Sequence, residues 1–97
     1  MFRHIVLLSF TEGTTGEDVS AIVDALHTLP ERVPTIRQYV VGTDAGLAEG
    51  NADLTATADF DDQAGYEVYR DHDAHQQVIT ELIKPRLAGR TATQFEL

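Results

Sequence analysis

The stretch FRHIVLLSFT, residues 2–11, is rich in β-branched, aliphatic and aromatic side chains and runs into Gly13, the composition and ending of a β-strand. Successive side chains of a strand point to opposite faces. Phe2, His4, Val6, Leu8 and Phe10 therefore share one face, and Arg3, Ile5, Leu7, Ser9 and Thr11 the other. Both faces are apolar at the centre, so each needs a cover other than water.

Outward from that strand, Thr15 precedes Gly16, Glu17 and Asp18, a helix N-cap followed by acids where the helix dipole favours negative charge. Val19, Ile22, Val23, Leu26 and Leu29 then form one amphipathic stripe that stops before Pro30. Past a connection bracketed by Pro30 and Pro34, IRQYVVGT (residues 36–43) reads as a second strand. The following DAGLAEGN, with Gly46 and Gly50, reads as a hairpin loop. ADLTATADF (residues 52–60) alternates strictly, with Ala52, Leu54, Ala56, Ala58 and Phe60 opposite Asp53, Thr55, Thr57 and Asp59. It is a third strand whose threonine side suits a semi-polar interface.

Asp61 and Asp62 offer a cap for a short helix through Gly65, Tyr66 and Tyr69, which should break around residues 71–73. Asp73 with Gln76 resembles a capping box that restarts a helix with the stripe Val78, Ile79, Leu82 and Ile83. Pro85 and Gly89 end or kink it, and RTATQFEL (residues 90–97) is a fourth strand. The order β-α-β-β-α-β is the ferredoxin-like arrangement, an α+β fold with two helices on one face of a four-stranded antiparallel sheet. Residues 1–97 are expected to form a single domain. The bare second face of the sheet predicts a homodimer through the open sheet faces.

Composition narrows the function. Seven basic against 16 acidic side chains leave a net charge of -9, with Lys84 the only lysine, so there is no cationic stripe for phosphates and no nucleic-acid or anionic-membrane partner is expected. The chain has no cysteine, which removes disulfides, thiolate metal sites and cysteine nucleophiles. Its longest aliphatic run, IVLL at residues 5–8, is far short of the roughly 20 residues that span a bilayer, and no secretory leader pattern precedes it. A cytoplasmic location is expected. Ser9 and Ser20, the only serines, have no triad context, and no phosphate-binding or dinucleotide fingerprint occurs.

The chemistry-bearing residues are histidines and tyrosines. His75 lies in register with Val78, Ile79 and Leu82, so its imidazole should point into the space between helix and sheet, towards the inward face that His4 shares. Burial and mutual repulsion would hold at least one of the two rings neutral near pH 7, and a neutral imidazole in an apolar pocket is a competent general base. A helix break at residues 71–73 lets the Tyr69 phenol converge on His75. The plainer alternative is a core histidine hydrogen-bonded to a backbone carbonyl beside a core aromatic. His72 and His75 also form H-x-x-H, but without a third strong ligand they read as a solvated turn, and no metal is expected. His27 reads as a helix-edge residue, and the acidic run at residues 59–73 as helix-start carboxylates.

These residues resemble the stress-responsive A/B barrel (Dabb) family of dimeric α+β barrels, through FRHIVLLSF, the Leu29-Pro30 turn with Ile36, the strand ending in Phe60, and above all YRDHDAHQQV at residues 69–78. The last carries Y-x-x-H-x-x-H, with Asp73 where the family usually has proline. The resemblance implies a dimer whose two sheets pack face to face, and a cavity between helices and sheet in each protomer, walled here by Phe2, Val6, Leu54 and Leu82. Plant members that act as polyketide cyclases use a tyrosine and a histidine of this element for an aldol condensation without a cofactor. These correspond to Tyr69 and His75, and the first-strand cavity histidine to His4. Those cyclases carry a further histidine on the third strand, where alignment to Phe60 gives Leu54 here.

Three functions follow as expectations. The first is a dimeric pocket protein for an apolar, oxygenated small molecule, cyclase-like if catalytic, with His75 as base, Tyr69 as donor to the enolate oxygen, His4 as the orienting group, and no cofactor. The second is a non-catalytic stress or assembly protein with its pocket filled and His75 fixed to the main chain. The third is a monooxygenase-like barrel, for which seven aromatic residues and no tryptophan make a poor cofactor pocket.

Overall fold

The computed structural model describes residues 1–97. Strand β1 (Phe2–Phe10) leads through helix α1 (Gly16–His27) and the single turn α2 (Leu29–Arg32) to β2 (Gln38–Thr43) and β3 (Leu54–Phe60). Helices α3 (Gln63–Asp71) and α4 (Asp73–Val78), a wide π-helical turn (Ile79–Ile83) and a 3-10 turn (Lys84–Arg86) then lead to β4 (Leu87–Glu96). The sheet order is β2-β3-β1-β4 with every neighbour antiparallel. This is the ferredoxin-like α+β arrangement, with each helical layer element broken into pieces rather than continuous. No helix is long and apolar enough to cross a membrane.

The doubly apolar first strand lies where its pattern demands, between β3 and β4. His4, Val6 and Leu8 are buried beneath the helices, whereas Leu7 on the other face is 41% exposed. That outer face also carries Val40 and Phe95, both largely exposed. Arg3 and Asp59 pair across it through two bonds of 2.7 and 2.8 Å, and the Arg3 guanidinium holds the Asp59 carboxyl below the usual carboxylate range.

The core between sheet and helices is built from Val6, Leu8, Ile22, Leu26, Leu29 and Phe60 with their neighbours. Thr15 and Asp18 form the reciprocal capping box that starts α1, with bonds of 3.1 and 3.0 Å. Helix α3 comes close to β3 because Gly65 has no side chain: a Cβ there would stand 3.3 Å from that of Phe60 and 3.4 Å from that of Thr35. Asp62 caps this helix by accepting from the Gly65 N–H at 2.9 Å.

Helix α1 ends at His27, before Pro30 as expected, and Pro30 sits in the first turn of the separate α2, where its missing N–H is not needed. Three local expectations are corrected. Helix α4 is capped not by Asp73 but by His72, whose Nδ1 accepts from the Ala74 N–H at 3.0 Å. Gly89 ends no helix; it lies within β4 opposite Ser9, beside a register shift, and β4 begins three residues earlier than its polar alternation suggested. The helical stripe after His75 contains a π-helical turn in which the Lys84 N–H bonds to the Ile79 carbonyl, and the extra residue per turn rotates the later side chains.

Candidate active site

Small residues on the central strand open the space that larger ones close over. Ala56 pairs with Val6 and Val41, and Ala58 with His4 and Tyr39, so the inward face of β3 is low at the middle of the sheet. Helices α3 and α4 roof this hollow and leave a cavity of about 270 Å³, near the low end for small-molecule sites. His4, Val6, Tyr69 and His75 all line it.

The other expected wall residues do not. Phe2 lies beyond His4, with its ring 5.9 Å from that of Tyr66, outside the cavity. Leu54 is buried at the far end of β3, opposite Leu8 and Thr43, and Ala56 supplies that strand's wall. Leu82 is displaced by the π-helical turn, which brings Ile79 and Ile83 to the wall instead.

His75 combines the two alternatives that its sequence position left open. Its Nδ1–H donates to the Arg70 carbonyl at 3.1 Å, as a structural histidine would, yet the ring also faces the cavity. The break after Asp71 leaves the carbonyls of the last turn of α3 without helical partners, and His75 and Gln76, at 3.1 and 2.6 Å, satisfy that of Arg70. Because a carbonyl only accepts, Nδ1 carries the proton and Nε2 of the neutral ring keeps a free lone pair. Burial holds this imidazole below its ordinary pKa, against the raising effect of the Arg70 bond and with the positive charge of Arg90 adding to the lowering.

His4 has the opposite tautomer. The Gln94 side-chain amide, directly across on β4, donates to its Nδ1 at 2.8 Å, so the neutral ring carries its proton on Nε2. Burial first, then the charges of Arg90 and His75, push its pKa down to about 4. Near neutral pH the cavity therefore holds one imidazole poised to accept and one poised to donate.

Tyr69 is buried with its ring centroid 4.1 Å from that of His75. Its hydroxyl shares a 3.0 Å hydrogen bond with that of Tyr39, and burial pushes the pKa of both phenols up, so both stay protonated. When Tyr39 donates to Tyr69, the Tyr69 proton is free for a ligand. Tyr66 stacks against His4 at 5.0 Å.

The sequence reading missed Tyr39, Tyr66, Gln94 and Arg90. Their signal was present in part: Tyr39 alternates with Val41 on the inward face of β2, and Arg90, Ala92 and Gln94 face inward opposite Leu8, Val6 and His4. The register that makes those alternations meaningful exists only once the strands pair.

Fold and site together define a ferredoxin-like α+β protein with a histidine–tyrosine cavity between sheet and helices. The family model for the stress responsive A/B barrel domain matches residues 2–97, and the chain belongs to that family. A dimeric ferredoxin-like protein of unknown function from Thermobifida fusca is 38% identical, with a TM-score of 0.91 over 99% of this chain and 90% of that one. A second dimeric ferredoxin-like protein, from Bacteroides fragilis, is 20% identical, with a TM-score of 0.85 over 99% of this chain and 95% of its own. A hydroxynitrile lyase from Passiflora edulis shares the fold at 15% identity, with a TM-score of 0.86 over 99% and 92% of the two chains. No curated protein matches the sequence.

Proposed function

We propose that the protein is a cytoplasmic homodimer that binds an apolar, oxygenated small molecule and removes a proton α to a carbonyl, the cofactor-free acid–base chemistry of polyketide cyclases. The observation that carries this reading is His75: a cavity imidazole whose Nδ1–H is engaged by a main-chain carbonyl, so that Nε2 is left as the base. In the first step Nε2 takes the α proton and the C–H electron pair forms the enolate double bond, moving charge to the carbonyl oxygen. The Tyr69 hydroxyl donates a hydrogen bond to that oxygen, with Tyr39 donating behind it, and His4 orients the ligand through its Nε2–H. The enolate carbon then attacks a second carbonyl of the same molecule, and the His75 imidazolium returns its proton to the new alkoxide.

The hydroxynitrile lyase supports only that this fold can host a lyase. The dimer is supported by the exposed apolar outer face of the sheet, with Leu7, Val40 and Phe95, and by the dimeric fold neighbours. Deuterium exchange into the α positions of acetophenone and nonan-2-one, followed by proton NMR, tests the chemistry. Wild type should exceed His75→Ala by about 10²–10⁴-fold, the range for a positioned general base, and Tyr69→Phe should fall between. Equal exchange in all three proteins defeats the acid–base reading.

The second reading, a binder without turnover, is favoured by the main-chain bond of His75. It expects no exchange together with ligand affinity that survives His75→Ala.

A further inference from the structure

Although 16 of the 97 residues are acidic, none of them lines the cavity, whereas Arg70, Lys84 and Arg90 do. Three elements supply these cations: α3, the 3-10 turn and β4. Arg70 is neutralised by Asp71 through bonds of 2.9 and 3.0 Å. Arg3, Arg37 and Arg86 likewise have carboxylate partners elsewhere, but Lys84, Arg90 and, away from the cavity, Arg32 have none. Arg90 is exposed at the edge of the cavity without a carboxylate partner, so an anionic group of a ligand held there can reach it.

Its place is set by register. Arg90 stands opposite Leu8, on the helix-facing side of β4, four residue pairs along from the His4–Gln94 pair. Arg90 thus stands towards the Leu8 end of the sheet, whereas Arg70 follows Tyr69 on α3 and His4, Tyr66 and Tyr69 cluster towards the other end of the cavity. The walls between are apolar, formed by Val6, Ala56, Ile79 and Ile83.

We infer that the ligand is an oxo-carboxylic acid, with its carboxylate held by Arg90, assisted by Lys84, and its carbonyl presented to Tyr69 and His75. A guanidinium presents a planar fork of donors that matches the two oxygens of a carboxylate, and an apolar chain between the two oxygenated ends suits the aliphatic walls. The inference deepens the proposed function and rests on it for the position of the carbonyl.

The test uses 9-oxodecanoate, whose alkyl chain separates carboxylate from ketone, and its methyl ester, titrated calorimetrically into the full chain at low and high salt. Wild type should bind the acid at least about tenfold more tightly than the ester, the usual scale for a hydrogen-bonded charge. That preference should shrink as salt rises, vanish in Arg90→Gln and return in part in Arg90→Lys. Melting curves show that each variant is folded before it is titrated. An acid preference that persists in Arg90→Gln overturns the assignment, as does equal binding of acid and ester, which still leaves the apolar pocket reading standing. Binding of neither compound removes both. An Arg90-dependent acid preference without α-proton exchange keeps this inference and removes the catalytic one.

Discussion

Two histidines within one cavity are given opposite roles by the atoms that hold their Nδ1 positions. A carbonyl on His75 makes Nε2 an acceptor, and an amide N–H on His4 makes Nε2 a donor. Both rings are held below the ordinary histidine pKa, His4 at about 4. The folded protein therefore binds fewer protons than the unfolded chain between pH 6.5 and about 4. Stability from these groups is complete above the unfolded value and is lost as pH falls through that window. Thermal melts between pH 7.5 and 4.5 should show a falling Tm, and His4→Gln, which keeps a polar partner for Gln94, should flatten much of the slope. An unchanged slope in that variant would place the acid sensitivity elsewhere.

At the scale of elements, the break between α3 and α4 does the positioning. It exposes the Arg70 carbonyl to His75, and it is closed by His72, whose ring accepts from the Ala74 N–H. Losing an N-cap costs about 1 kcal/mol, which in a chain of this size lowers Tm by about 4–8 °C. His72→Ala should show that loss and His72→Asn, which restores a good capping group, should recover it; equal melting of both variants would show that the ring is not the cap. The break itself was legible in the sequence, from the polar cluster at residues 71–73, but not the identity of its cap. Asp73 and His72 are adjacent, and the geometry that chose between them was set by packing of Ala74 and Val78 against the core. The π-helical turn was not legible either, because one extra residue leaves a stripe that still fits an ordinary helix. Only contact with the sheet shows Ile83 taking the wall position assigned to Leu82.

The whole molecule presents helices on one side of its sheet and an exposed, partly apolar face on the other. If two such faces meet, each substitution on them appears twice across a two-fold axis. Leu7→Glu would then bury two unpaired carboxylates in an apolar contact. Sedimentation at micromolar concentration should show wild type as a dimer and the variant as a monomer, with association weakened by at least about 100-fold. A variant that remains dimeric would move the interface off the sheet face. The monomeric variant also separates assembly from chemistry, since the cavity lies on the helix side of the sheet, away from Leu7.

Sequence alone determined the order of strands and helices along the chain, the apolar character of both faces of the first strand, and the convergence of His4, Tyr69 and His75. Periodicity reports which face of an element is apolar, and the family pattern sits within one short segment. Tertiary structure alone decided the cavity wall, the two tautomers, and the company of Tyr39, Gln94 and Arg90. Those depend on strand register and on which polar atom ends within hydrogen-bonding distance of which ring, and both are settled only when β2, β3, β1 and β4 pair across separations of tens of residues.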